Sequence, residues 1–114
     1  MNFRPHERIR RRPEFKLIFE RGAKVHSRYS TVFIMPNAGT VGRLGIAATR
    51  KLGGAVQRNR ARRILREAWR VVAPTAADGN DVVLVAREAI RGAKTQDLVA
   101  EMTELLRREP LVRR

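Results

Sequence analysis

The sequence predicts an α+β protein, an α-β sandwich in which helices pack on a small mixed sheet in the order α-β-β-α-β-α. Three observations predict it. One long amphipathic helix fills the middle of the chain, residues 55–72. Short apolar, β-branched runs lie on both sides of that helix, at 31–35, 43–49 and 81–86, instead of forming one block of strands. A length of 114 residues suits one domain with a single core, so 1–114 is read as one unit.

Residues 1–12 are rich in arginine and lack apolar periodicity, and they are expected to form a basic, mobile arm. Arg12-Pro13-Glu14-Phe15 marks a helix start, because proline suits the first turn and a carboxylate is favourable at the positive end of the dipole. Phe15, Ile18 and Phe19 form its apolar face at i, i+3, i+4, and Gly22 stops it. The two phenylalanines fit core packing or, if partly exposed, stacking platforms for unpaired bases. Composition favours the core. Thr31 to Met35 reads as a strand ended by Pro36-Asn37, and Arg43 to Thr49 as a second strand. The turn-rich segment between them predicts an antiparallel hairpin. Arg50 and Lys51 follow the second strand, close to the N-terminus of the central helix, where free N–H groups already favour phosphate.

Gly53-Gly54 separates those cations from the central helix. Ala61, Ile64, Leu65, Ala68 and Val72 form its buried stripe, with Trp69 at the border and read as core. Asn59, Arg62, Arg63, Arg66 and Arg70 occupy the opposite side. Arg58 and Arg60 lie near the two borders, and the only acid in residues 50–70 is Glu67. Like charges at i, i+4 along Arg58, Arg62, Arg66 and Arg70 cost an isolated helix a few tenths of a kcal/mol per pair. A polyanion relieves that repulsion. Residues 74–80 form a loop, and Asp81 to Ala86 is a continuous apolar run, as in a strand buried on both faces. The last helix starts near Thr95, a candidate N-cap, with Asp97 in its first turn and Pro110 at its end. Leu98, Val99, Met102, Leu105 and Leu106 are its buried stripe.

The net charge is +14, and its distribution is informative. Residues 1–28 carry nine Arg/Lys against three Glu, and residues 50–70 carry eight against Glu67 alone, whereas residues 71–114 balance seven against seven. Basic charge concentrated on selected elements points to nucleic-acid binding, since a general solubility charge would be spread. No cysteine is present, which excludes a disulfide framework and thiolate metal sites. No apolar run approaches the ~20 residues of a membrane span, and the N-terminus lacks the apolar stretch of a signal peptide. The expectation is a cytoplasmic protein without a membrane or protein partner.

Catalysis by the chain itself is not expected. His6 and His26 have no acidic or histidine neighbours at ligand spacing. Asp78, Asp81, Glu101 and Glu104 read as solvated or capping groups. No nucleophile triad or phosphate loop appears. Arginine suits the remaining task, because its planar fork grips phosphate at two points and its face stacks on bases. The broad arginine face fits phosphates of a folded RNA better than readout of a few base edges. A ribosome-assembly protein or a nucleoid-type DNA binder would share the charge.

From Lys51 to Glu67, K-L-G-G-A-V-Q-R-N-R-A-R-R-I-L-R-E, the chain resembles the protein subunit of bacterial ribonuclease P. That family carries K-x-G-x-A-V-x-R-N-x-x-K/R-R-x-x-R-E. Phe15-x-x-Ile18-Phe19-x-x-Gly22, Phe33, and the strand from Asp81 to Arg87 resemble other parts of it. Val82 stands where an aromatic is common. The resemblance implies a ribosomal protein S5 domain 2-like sandwich with a left-handed β-α-β crossover. It implies that a large RNA performs the chemistry with Mg²⁺, and that the protein itself holds no metal. Arg58, Asn59, Arg60, Arg62, Arg63 and Arg66 would contact the catalytic RNA. Phe15, Phe19, Phe33, Arg50 and Lys51 would line a cleft between the sheet and the central helix for the 5′ leader of precursor tRNA. On this basis at least one phenylalanine ring is expected to be exposed.

Overall fold

The computed structural model describes residues 8–9, 11–37, 42–72 and 79–108. Helix α1 is Arg12–Arg21, followed by strands β1 (Ala23–His26), β2 (Ser30–Pro36) and β3 (Arg43–Ala47). A short 3-10 turn, Arg50–Leu52, leads into helix α2, Ala55–Val72. Strand β4 (Asn80–Ala86), a second 3-10 turn (Glu88–Gly92) and helix α3 (Thr95–Arg108) complete the order. The four strands form one mixed sheet in the order β1-β2-β4-β3.

The expected β2–β3 hairpin does not form. β4 lies between those strands, antiparallel to β2 and parallel to β3. The reason is burial: Val82, Val83 and Leu84 are each fully buried, and only an inner position covers both faces of such a strand. β2 pairs instead with β1, a short edge strand joined to it by the Ser27–Tyr29 turn. β1 carries one half-buried apolar side chain, Val25, among exposed neighbours, so it lacks the pattern that marks a strand in sequence. His26 ends this strand, and its Nδ1 lies 3.2 Å from Thr31 Oγ1.

Alternation along the strands divides the apolar residues into two layers. On one face Val32, Ile34, Leu44, Val82 and Leu84 pack against Ala61, Ile64, Leu65, Ala68 and Trp69 of α2 and Leu98, Met102 and Leu105 of α3. On the other face Phe33 and Val83 pack against Ile18 of α1, with Phe15, Met35 and Val85 at the margin. Ile9 belongs to this second layer; it is 4% exposed and its N–H donates to the Leu44 carbonyl at 3.0 Å. That end of the expected mobile arm is therefore docked along β3, while residues 1–7 and 10 lie outside the described residues.

Two acids read as solvated are internal struts. Glu101 of α3 accepts from the Tyr29 N–H at 2.6 Å and the Ser30 hydroxyl at 3.1 Å, tying α3 to the start of β2. Asp81 is 3% exposed and is gripped by Arg43 through Nε at 2.9 Å and Nη2 at 2.8 Å, with Asn37 donating at 2.9 Å. Asp78 lies outside the described residues. Thr95 does not cap α3 with its side chain. Its hydroxyl donates to Glu67 of α2 at 3.1 Å, while Asp97 accepts from the Lys94 N–H at 2.9 Å.

Burial pushes the Asp81 carboxyl up, but the hydrogen bonds from Arg43 and Asn37 and the charge of Arg43 outweigh it and hold it below its ordinary 3.8. A carboxylate whose folded pKa is depressed adds stability above its unfolded pKa and loses it as pH falls through the folded value. Asp81→Asn is expected to cost about 2–3 kcal/mol at neutral pH, less than a fully buried pair because Arg43 is partly solvated. It should also flatten the decline of stability below about pH 4. Urea unfolding at pH 7 and pH 3 checks both, and an unchanged pH dependence would contradict the assignment.

Candidate nucleic-acid interface

Gly53, at φ 123°, adopts a backbone conformation that side chains disfavour, and it sets the sharp entry into α2. The apolar stripe of α2 is buried as its 3.6-residue period requires, and this turns the arginine side away from the sheet. Asn59 and Arg63 are exposed, while Arg58, Arg62, Arg66 and Arg70 are half-buried. Ion pairs among the described residues join Arg43 to Glu14 and Asp81, and Arg107 and Arg108 to Glu104. None involves an arginine of α2. Arg62 donates to Asn59 Oδ1 at 2.8 Å, which orders both side chains without neutralising the charge.

An open cleft of about 1170 Å³ lies between α1 and the C-terminal end of β3. Phe15 and Phe19 form its α1 wall, Ile46 to Thr49 its other wall, and α2 contributes Arg62. Arg12 and Lys16 stand on the rim. Phe19 is the open ring at 41% exposure. It meets Phe33 edge-on at a centroid distance of 5.0 Å and Phe15 at 6.1 Å. Phe33, only 9% exposed, supports Phe19 from below, and Lys24 Nζ lies 5.7 Å from its ring centroid. Of the three rings expected in the cleft, Phe15 and Phe19 line it, whereas Phe33 is buried against Phe19 and does not. Arg50 and Lys51 do not line it; they are exposed on the turn just past Thr49, which does.

A family-wide sequence model described as Ribonuclease P matches residues 3–109. The chain belongs to the ribonuclease P protein family. The ribonuclease P protein component of Desulfovibrio desulfuricans is 41% identical over 109 residues, covering 94% of this chain and 81% of that one. That of Symbiobacterium thermophilum is 39% identical over 94% of both chains. Among solved structures, the RNase P protein from Thermotoga maritima matches with a TM-score of 0.76 at 32% identity, over 90% of this chain and 97% of that one. A Staphylococcus aureus RNase P protein mutant with defective mRNA degradation activity matches with a TM-score of 0.79 at 29% identity, over 90% and 86%. The α+β sandwich is therefore that of ribonuclease P proteins.

Among the described residues, Arg60 and Glu67 of the family stretch bond to other elements of the chain. Arg60 donates to the carbonyl of Ala93 at 2.6 Å and to those of Ile90 and Arg91 at 3.4 Å each, so it fastens the second 3-10 turn to α2. Glu67, the lone acid of residues 50–70, accepts the Thr95 hydroxyl. Arg12, Lys16 and Lys24 were not expected beside the aromatic rings. A usable signal existed for two of them, because Arg12/Lys16 and Phe15/Phe19 are interleaved i, i+4 pairs on one short helix. No helix among the described residues is long and apolar enough to cross a membrane.

Proposed function

We propose that the chain is the protein subunit of a ribonuclease P ribonucleoprotein. In this reading the arginine face of α2 grips the catalytic RNA, and the α1–β3 cleft takes the unpaired 5′ leader of precursor tRNA. The RNA performs leader hydrolysis with Mg²⁺ that it holds mainly itself, and the product is the mature tRNA 5′ end.

One juxtaposition carries the reading. A row of arginines that no acid among the described residues pairs with stands next to an aromatic-walled cleft with cations at its rim. Single strands are bound by this combination of backbone charge and stacking surface, which needs no sequence readout. The protein then acts in two physical ways. It lowers the repulsion between two polyanions, ribozyme and substrate, that otherwise demands many metal ions. It also favours precursor over product, because only the precursor has a leader. Arg62 of α2 lines the cleft and would contact both nucleic acids in this arrangement.

Phe19→Ala is expected to weaken holoenzyme binding of leader-bearing precursor by roughly 1–3 kcal/mol, the worth of a base stacked on an aromatic ring. Binding of mature tRNA should be unchanged. Equilibrium binding of both RNAs checks this, and equal losses for the two would sink the leader assignment.

A further inference from the structure

We infer that Glu14 and Arg43 are positioning residues of the cleft: an ion-pair relay from buried Asp81 through Arg43 to Glu14 fixes α1 and so aims Phe15 and Phe19. The inference rests on the leader cleft proposed above and adds what sets its shape.

The relay starts on an inner strand of the sheet. Asp81 and Arg43 are directly paired residues of inner strand β4 and strand β3. Two nitrogens of the Arg43 guanidinium hold both Asp81 carboxylate oxygens, and a planar fork bound at two points has no freedom left to swing. Its third nitrogen, Nη1, therefore has a fixed direction, and it meets Glu14 Oε2 of α1 at 3.0 Å. Lysine, a single point charge on a flexible stem, would leave that direction undefined.

The next residue of α1 is seated on the same strand by contact. A Cβ built at Gly45 would lie 2.8 Å from Phe15 Cε1 and 2.9 Å from Cζ, so the ring rests where only glycine leaves room. Consecutive residues of α1 are thus fixed to β3 at positions 43 and 45, one by charge and one by shape. Phe19 lies one turn beyond Phe15, and its direction follows. Among the described residues Ile18 is the fully buried side chain of α1, and the N-cap residue Arg11 makes no side-chain capping bond.

The sign of the charge makes the role testable. A carboxylate beside a cleft for a polyanion weakens binding by charge alone, so deleting it should tighten binding unless it positions something. Holoenzyme reconstituted with a bacterial ribonuclease P RNA is compared for dissociation constants of leader-bearing precursor and mature tRNA, using wild type, Glu14→Ala, Glu14→Gln and Phe19→Ala. Glu14→Ala is expected to lower the preference for precursor roughly threefold to fivefold, the scale of a partly exposed ion pair. Glu14→Gln, which still offers Arg43 an oxygen, should lose less, and neither variant should change affinity for the catalytic RNA. A preference unchanged or increased in Glu14→Ala, with a loss in Phe19→Ala, would overturn the positioning role and leave the leader cleft standing. No loss in Phe19→Ala would overturn the leader cleft and this inference with it.

Discussion

Binding of this chain to a bacterial ribonuclease P RNA is expected to weaken by roughly 10³–10⁵ between 50 and 200 mM monovalent salt, the fall that follows if about six to ten phosphates are neutralised. The source is the row of α2 arginines that no acid among the described residues neutralises. Each phosphate contact releases condensed counterions, and the entropy of that release shrinks as bulk salt rises. Truncating one participating arginine should flatten the logarithmic salt slope by about one unit. Arg62→Ala and Arg66→Ala are expected to do so with little loss of stability, because neither side chain makes an ion pair among the described residues. Arg60 is the internal contrast. Its guanidinium already serves three carbonyls, so Arg60→Ala should lower stability more than it changes the slope. Filter binding at four or five salt concentrations checks this, and unchanged slopes for Arg62→Ala and Arg66→Ala would remove them from the interface.

Trp69→Ala is expected to cost about 3–5 kcal/mol of folding stability. Trp69 is 2% exposed and packs in the main core beside Leu65 and Ala68, which are fully buried. Deleting an indole there loses its transfer free energy and leaves a cavity that α2 and the sheet, held apart by their neighbours, fill only in part. Urea unfolding measures the loss directly. A cost below about 1 kcal/mol would mean that the core collapses around the gap far better than close-packed interiors usually do. Together with the arginine variants, this separates the two sides of one helix, since Trp69 governs stability and Arg62 and Arg66 govern RNA affinity.

The period of α2 made most of this legible in advance. Its apolar stripe and basic face follow from residue spacing alone, and both lie where the spacing put them. β4 was readable for the same reason, because a run without polar alternation fits only an inner strand. The sheet order was not readable. A turn-rich link between β2 and β3 satisfies local hairpin chemistry, yet the fully apolar β4 needs two neighbours, and that long-range demand outweighs a local turn. β1 was invisible because an edge strand needs little apolar content.

The acids were the other gap. Asp81, Glu67 and Glu101 look like surface charges in sequence, since nothing local reveals that their partners lie on other elements. The aromatic wall of the cleft was readable through Phe15 and Phe19, but not the burial of Phe33 against Phe19 or how exposure is shared among the three rings. That division depends on Gly45 admitting the Phe15 ring.

Cleavage of a precursor tRNA by a bacterial ribonuclease P RNA at low millimolar Mg²⁺, with and without this chain, tests the central claim most directly. The account predicts a large gain in rate with a full-length leader, and loss of most of that gain when the leader is trimmed to one or two nucleotides. No gain at any leader length, together with tight binding to ribosomal RNA, would contradict it.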